Sequence, residues 1–392
     1  KMKNAVLIAA LSGTFASAAH AQSSVTLYGI VDAGISYVSN ERISGNTGHS
    51  TWKETSGNIN GSRWGFKGTE DLGGGLKAIF TLEGGFSTNN GSIAQHGTFF
   101  GRQAFVGLSS NQFGAVTLGR QYDPQVDYVG PLSLTGTGYG GLYFAHPFDN
   151  DNQNGSMRIN NAVKYTSRTY NGFQFAGLYG FSNQAGGFAN NRAYGVGASY
   201  NYGPLNVAAG YRQLNNAGGF LGNNAGATDN GSGGNDAQFT AQRQRSFGAG
   251  LNYAFGPAVV GFVFTQTKLD TPVSINLGGI ALANAKSLRF NNYEVNAHYN
   301  LTSAFILATA YTYTDGRLST TTGSSSPKWN QFSLLADYLL SKRTDVYLIG
   351  EYQHLSGGSL NGATIFTASI DGFTRSANNK QAAVTAGIRH RF

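Results

Sequence analysis

The chain has 392 residues and no cysteine, so a framework of disulfide bonds is excluded. Aromatic residues make up 13%, and only seven residues are proline, which excludes a disordered or proline-rich chain. The formal net charge is +8, yet the basic residues form neither a cluster nor a recognition motif, so nucleic acid is not a predicted partner.

The first 21 residues are predicted to be a secretory signal peptide. Lys1 and Lys3 supply a positive start, residues 5–11 are apolar, and Ala19-His20-Ala21 has the small-residue pattern of a cleavage site. No later apolar run is long enough to be a helical membrane span, which needs about 18 residues. One domain is therefore predicted over residues 22–392, because no linker or composition shift divides it.

The segment 62–83, SRWGFKGTEDLGGGLKAIFTLE, predicts a β-hairpin. Apolar residues at 64 and 66, and at 76, 78, 80 and 82 after the turn, alternate with mostly polar ones. Successive side chains of a strand point to opposite faces, so each strand has one apolar and one polar face. The same hairpin fits a soluble sheet over a core and a membrane barrel with its apolar face toward lipid.

The same unit recurs along the chain: an alternating run, a tight turn, another run and a longer polar stretch. Tight turns are predicted at 70–75, 110–114, 169–172, 202–204, 255–257, 300–303 and 341–344. Longer stretches rich in Gly, Asn and Ser lie at 39–60, 84–97, 123–157, 182–190, 214–241, 269–287, 315–327 and 355–379. With a single strand at each end, this order predicts about sixteen strands.

The lengths of the predicted strands also favour a membrane barrel. The runs 205–213, 258–268, 304–314 and 381–392 have nine to twelve residues, close to what a tilted strand needs to cross the apolar core of a membrane. Short turns on one side and long loops on the other are typical of an outer-membrane barrel. The predicted fold is an all-β, 16-stranded antiparallel transmembrane β-barrel.

Five ordered segments carry a family resemblance: SSVTLYGIVDAG (23–34), SRWGFKGTEDLGGGLKA (62–78), GRQAFVGLSSNQFGAVTLGRQ (101–121), RINNAVKY (158–165) and GIRHRF (387–392). They resemble the general diffusion porins of Gram-negative bacteria, most nearly the beta-proteobacterial porins of Burkholderia- or Bordetella-like organisms. The resemblance implies a homotrimer of sixteen-stranded barrels in the cell outer membrane, each narrowed by a third loop that folds inward. Small hydrophilic solutes and ions would diffuse through.

Charge at the narrowest point decides which solutes pass through such a pore. Strand parity places Arg63 on the lumen side, and Lys67 and Lys77 share that parity. The resemblance assigns pore roles to Arg102 and Arg158. These guanidinium groups would form a permanently positive arc.

The acids that would oppose this arc are fewer. Glu83 has lumen parity and resembles the acidic constriction residue of the family. Loop three, residues 123–157, fits the inward-folding loop that the resemblance implies, and its glycine-rich part at 136–141 would allow a tight fold. Asp127 is the predicted opposing acid, with Asp123 as its competitor.

Two arginines depart from simple alternation. Arg102 shares the parity of the apolar residues at 104, 106 and 108, which a covered strand in a trimer interface would explain. Arg120 shares the parity of Val116 and Leu118, so it is expected at a subunit interface or near the end of its strand, and outside the constriction.

The remaining motifs give little evidence for a metal, cofactor or catalytic site. Residues 149–155 resemble a calcium loop, but the glycine stands one place late and Asn160 replaces the final Glu. No metal, cofactor or catalytic residue is predicted. The terminal Phe392 resembles the signal that the outer-membrane assembly machinery reads, and lipid, including lipopolysaccharide, is a further expected partner.

The predicted function is a passive channel with a mild preference for anions, since three wall arginines face fewer acids. A substrate-specific porin remains an alternative. An outer-membrane barrel enzyme is less favoured because no catalytic motif supports it. A secreted soluble β adhesin is the third alternative.

Overall fold

Antiparallel strands make up most of the chain. The computed structural model describes residues 24–228 and 236–392, so the predicted signal peptide lies outside the described residues. The strands form one closed barrel of sixteen, which confirms the predicted fold class. They are β1 (Ser24–Ser44), β2 (Thr47–Ser56 and Arg63–Gly73), β3 (Leu76–Gly85), β4 (Gln103–Ser110), β5 (Gly114–Gln121), β6 (Ile159–Thr166), β7 (Phe173–Gly180), β8 (Arg192–Tyr202), β9 (Leu205–Ala217), β10 (Phe239–Phe255), β11 (Ala258–Ile275), β12 (Ala285–Asn300), β13 (Phe305–Thr320), β14 (Lys328–Leu339), β15 (Thr344–Ser356) and β16 (Lys380–Arg391).

Strand β2 is interrupted. Its first part pairs with β1 from Ala33 onward and its second part pairs with β1 up to Ile30. Residues 57–62 between them turn into the barrel, where the backbone N–H groups of Ile59 and Asn60 donate to Asp32 Oδ2 at 2.9 and 3.0 Å. The predicted loop 39–60 is therefore mostly strand, with a tight turn at 45–46.

Several other strands run beyond their predicted ends. β9, β11 and β13 have 13, 18 and 16 residues, so the loops predicted at 269–287 and 315–327 are shorter than expected. The pairing of β11 with β12 continues to Asp270 and Ser287. Polar residues continue a ladder as readily as apolar ones, since the backbone supplies the hydrogen bonds.

The alternation of faces is the one that the sequence predicts. On β11, Phe262 points outward and is 42% exposed, whereas the neighbouring Val263 points inward and is 0% exposed. Further along the same strand, Thr265 and Thr267 are buried in the interior. The wall thus presents apolar side chains outside and many polar ones inside, as a membrane barrel requires.

Helices are few and short. The described ranges contain α1 (Ala94–Gly97), α2 (Pro124–Tyr128) and 3-10 turns at Gly130–Leu132, Leu134–Gly136, Leu142–Phe144 and Pro147–Asp149. Short strands of two residues lie at Ile280–Ala281, Ser324–Ser325, Ser359–Leu360 and Ala363–Thr364. Within these ranges no helix is both long and apolar enough to cross a membrane.

The barrel closes between its first and last strands. β1 pairs with β16 from Ile30 opposite Arg391 to Val38 opposite Ala383. Beyond this ladder, Gly29 and Phe392 exchange two backbone hydrogen bonds, each 3.1 Å long.

One side of the interior is filled by an aromatic cluster. Phe148, Phe290 and Trp329 are fully buried, with ring centroids 5.7 to 6.3 Å apart, and Phe239 and Phe366 pack against them. Because β10, β12 and β14 supply three of these rings, this cluster occupies their inner side. The open space inside the barrel therefore lies toward β2 and residues 86–102.

Candidate pore constriction

A cavity of about 850 Å³ lies inside the barrel between the wall and residues 122–158. Its lining is half polar and includes Arg63, Arg102, Tyr122, Asp127 and Arg158. We call the three arginines the arginine arc and this space the constriction cavity.

The arginine arc is held by a short chain of hydrogen bonds. Arg102 Nε donates to Glu83 Oε1 at 2.7 Å, and Tyr28 OH donates to the other carboxylate oxygen at 3.0 Å. Arg63 Nε donates to the backbone oxygen of Gly61 at 2.9 Å. Glu83 is nearly fully buried, so it compensates the charge of Arg102 without itself lining the cavity.

Tyr122 joins the guanidinium groups of Arg102 and Arg158. Its hydroxyl accepts from Arg102 Nη2 at 3.0 Å and from Arg158 Nη2 at 2.9 Å, and the Arg158 guanidinium lies 5.0 Å from its ring centroid. Burial alone raises the pKa of this phenol, but the positive charges of Arg102 and Arg158 outweigh it, so the pKa lies below its ordinary value.

The opposing acid is paired. Asp127 in α2 lies with its Oδ2 2.7 Å from Lys164 Nζ on β6, and Lys164 also donates to the backbone oxygen of Tyr122 at 3.1 Å. Burial raises the pKa of Asp127, and the ammonium of Lys164 offsets part of that rise. The pair presents no net charge to the cavity.

Asp123 is placed differently. Its Oδ1 accepts from the backbone N–H groups of Gln125 and Val126 and so caps the N-terminus of α2. Its Oδ2 accepts from Arg212 Nη1 of β9 at 3.0 Å, and both side chains are almost completely buried. Asp123 thus fastens the start of loop three to the wall and does not line the constriction cavity.

Loop three also contacts the inward faces of β10, β12 and β14. Gln125 Nε2 donates to Ser246 Oγ of β10 at 3.0 Å. Ser133 Oγ and the backbone N–H of Leu134 donate to the carboxylate of Glu294 on β12, at 2.6 and 2.7 Å. On β14, Gln331 Nε2 donates to the backbone oxygen of Ala145 at 3.0 Å.

A buried histidine strengthens this attachment. His146 lies between two carboxylates, with Nδ1 2.6 Å from Asp151 and Nε2 2.9 Å from Glu294, and all three are almost fully buried. Burial by itself lowers the pKa of His146, but the two carboxylates prevail and raise it to about 10. His146 is therefore a cation at neutral pH that joins loop three to β12.

Close packing of loop three depends on glycine. A Cβ on Gly140 would lie 1.9 Å from the backbone oxygen of Leu134, and Gly141 has φ of 148°, a value that other residues rarely adopt. The wall makes room too, since a Cβ on Gly210 would lie 2.8 Å from the Cα of Gln125. The glycine-rich stretch predicted from the sequence lies where the backbone passes most closely.

The structure brings Arg63, Arg102, Arg158 and Asp127 to one cavity but leaves the two predicted lysines outside its lining. Lys67 lies four residues along β2 from Arg63, with Nζ 5.5 Å from the ring centroid of Tyr28. Lys77 follows the tight turn at the start of β3. Both are nearer the short-turn end of the barrel.

Arg102 and Arg120 owe their positions to the ends of strands. Arg102 lies just before β4, whose first residue, Gln103, pairs with Glu83. The backbone N–H of Arg102 donates to the backbone oxygen of the same Glu83. Strand parity therefore does not extend to Arg102. Arg120 lies next to an irregularity in the pairing of β5 with β6. Its guanidinium donates to the backbone oxygen of Gly101 at 2.8 Å and pairs with Asp236.

Three residues that contact the predicted site residues were not predicted from the sequence: Tyr122, Lys164 and Arg212. Lys164 was the easiest to find, because it shares the parity of Arg158 within RINNAVKY. Tyr122 carries no charge, and Arg212 lies far along the chain from Asp123, so no local signal marks either.

No group of three His, Cys, Asp or Glu side chains in the described ranges is arranged to hold a metal ion.

Residues 5–358 match the Gram-negative porin family. The chain belongs to this family. As a porin of the cell outer membrane, it forms a passive diffusion channel, in agreement with the predicted function and location.

Curated relatives span the whole porin. An outer membrane porin protein of Bordetella pertussis is 35% identical over 100% of both chains, and outer membrane porin protein 32 of Delftia acidovorans is 30% identical over 100% of this chain and 99% of its own. Among solved structures, an anion-selective porin from Comamonas acidovorans has a TM-score of 0.69 and 27% identity, covering 95% of this chain and 100% of its own. The trimer form of OmpT from Vibrio cholerae has a TM-score of 0.62 at 16% identity, over 94% of this chain and 99% of its own, which supports the fold alone.

Proposed function

We propose that the channel prefers anions and that the arginine arc, facing loop three, is its selectivity constriction. Arg63 and Arg158 line the cavity, and no carboxylate of the described residues lies within 4.0 Å of either guanidinium group. Other cations at the cavity are paired: Arg102 with Glu83, Lys53 with Glu41 and Lys164 with Asp127. The charges of Arg63 and Arg158, neither of which has a carboxylate partner in direct contact, are the basis of the proposal, because rings of Arg or Lys favour anions.

Two further observations support it. Arginine keeps its charge at any working pH, so the arc remains positive. The similar porin from Comamonas acidovorans is described as anion-selective. We propose that Lys67 and Lys77 extend the positive potential from the arc toward the short-turn end.

The experiment is the reversal potential across a planar bilayer in a KCl gradient. The wild-type porin should show anion preference, and the double variant R63Q/R158Q should shift toward cations. The control R168Q/R343Q removes the same charge from exposed residues in the short turns, outside the cavity lining. A cation-preferring wild type, or an equal shift in test and control variants, would contradict the proposal.

We also propose that the porin is a homotrimer that acts by diffusion alone, without catalysis. The fold is that of the OmpT trimer form, and the wall exposes large apolar side chains on many strands. Outer-membrane lipid and the assembly machinery that recognises Phe392 are the other proposed partners. Chemical cross-linking in detergent should give a three-subunit band, and a protein that remains monomeric would contradict this part.

A further inference from the structure

Four basic side chains lie in one line across the outer surface of the barrel. Arg245 of β10 is directly opposite Lys268 of β11, which is opposite Arg289 of β12, which is opposite Arg317 of β13. All four point outward, since their chain neighbours on either side are buried inside or less exposed. We call them the basic row. Neighbouring strands are about 4.8 Å apart, so the row spans about 15 Å.

The row has too few acids to balance it. Asp270 accepts from both Arg243 and Arg245, and Asp315 lies 3.9 Å from Arg289. Of the described residues, no carboxylate pairs with Lys268 or Arg317. Like charges directly opposite on neighbouring strands are destabilising, so this arrangement calls for an external anion.

The depth of the row identifies where that anion would be. Four residues nearer the short turns on β11, β12 and β13, the side chains of Phe264, Tyr293 and Tyr313 form a parallel aromatic row, with ring centroids 5.1 and 6.3 Å apart. Outward aromatic residues mark the membrane–water interface of such barrels. The basic row lies about 13 Å further along the strands, on the long-loop side. Long loops are extracellular in these barrels, so the row faces the headgroups of the outer leaflet.

We infer that the basic row is a docking surface for a phosphate-bearing lipid headgroup of the outer leaflet. Guanidinium groups match phosphate oxygens in a two-pronged geometry, and Lys268 adds a compact charge between them. The acyl chains of the same lipid would lie against the aromatic row. The inference assigns residues to the lipid partner proposed above, and it requires only that the barrel lies in the outer membrane.

The test compares lipids that differ only in phosphate. Purified full-length porin in detergent is mixed with lipid A carrying two phosphates or with the same lipid stripped of phosphate, and native mass spectrometry measures the bound lipid. The wild type should retain the phosphorylated form preferentially. K268Q/R317Q should bind it about 30-fold more weakly, because each basic residue near an anionic surface contributes about five-fold in affinity. Lys268 and Arg317 are chosen because neither is paired with a carboxylate of the described residues, so their substitution breaks no ion pair there.

The matched control is K342Q/R343Q, which removes the same charge from exposed residues at the short-turn end. It should keep wild-type binding. Equal retention of both lipids by the wild type, or unchanged binding by K268Q/R317Q, would overturn the inference. Release of the bound lipid by inorganic phosphate alone would indicate a free-anion site and overturn it as well. Reversal potentials of the same preparations separate this result from the proposed selectivity, which does not depend on the basic row.

Discussion

The carboxylate of Asp127, which lines the constriction cavity together with Arg63, lies 2.7 Å from the ammonium of Lys164. The acid that the sequence predicts to oppose the arginines is neutralised by a lysine of the wall. Under the proposed selectivity, the arginines that lack such a partner set the potential inside the cavity.

This pairing predicts opposite effects for its two members. D127N frees the positive charge of Lys164 and should increase anion preference, whereas K164Q exposes the negative charge of Asp127 and should decrease it. Each change in the permeability ratio should be at most about five-fold, since a partly exposed pair contributes up to about 1 kcal/mol. Reversal potentials measure both shifts, and D127N/K164Q should return close to wild type. Shifts in the same direction for the two single variants would show that the pair does not act on the pore.

The pH dependence of selectivity should depend on Tyr122. Its pKa lies below the ordinary value of about 10 because Arg102 and Arg158 favour the phenolate. As pH rises into the alkaline range, a negative charge therefore forms in the arginine arc earlier than an ordinary tyrosine would supply it. Anion preference should fall over that range in the wild type and remain constant in Y122F. The same fall in Y122F would assign the titration to another group.

His146 should stabilise the folded barrel. H146Q leaves the carboxylates of Asp151 and Glu294 without a buried cation, and breaking such a pair costs about 3–5 kcal/mol. The expected result is a lower temperature for the heat-dependent shift in gel mobility. H49Q, at an exposed position in the β1–β2 hairpin, is the control and should leave that temperature unchanged.

The same histidine predicts how stability varies with pH. Its pKa is raised in the folded protein from 6.5 to about 10, so the stabilisation is complete below the unfolded value of about 6.5. It is lost progressively as pH rises through about 10. The difference in unfolding temperature between wild type and H146Q should therefore shrink from neutral pH to pH ~10. A constant difference would rule out a charged His146.

Loop three offers a matched pair of glycines. A Cβ on Gly140 would lie 1.9 Å from the backbone oxygen of Leu134, whereas a Cβ on Gly138 meets no atom within 4 Å. G140A should destabilise the protein by about 1–3 kcal/mol through overpacking and change single-channel conductance, because loop three must shift. G138A should leave both unchanged. Equal conductance for the two variants would show that the loop does not limit the flow of ions.

The fold was largely predictable from the sequence. Alternation along segments such as 62–83 reports which face meets lipid, and turn residues report where each short connection lies. The ends of the strands were not predictable in the same way. Residues 269–275 and 315–320 continue their ladders beyond the apolar band, where Leu269, Ile275 and Leu318 point inward and the outward side chains are mostly polar. This alternation is the reverse of the one at membrane depth, so the pattern of the apolar band does not extend to the strand ends.

The placement of side chains at the cavity was predictable where it follows strand parity, and was not predictable elsewhere. Parity located Arg63 and Glu83, which lie within regular strands. It failed for Arg102, which precedes its strand. The partner of Asp123 could not be predicted, since Arg212 approaches it only when the barrel has closed.

The two hydrogen bonds between Gly29 and Phe392 have a consequence for folding. They join residues far apart in the chain, so the last ladder forms between segments that the ribosome makes at widely separated times. Pairings of such high contact order are slow to form. Until they form, both terminal strands present open edges that can pair with other chains. An unfinished barrel is therefore a species prone to aggregation, and a chaperone that shields β1 until β16 arrives would relieve that hazard.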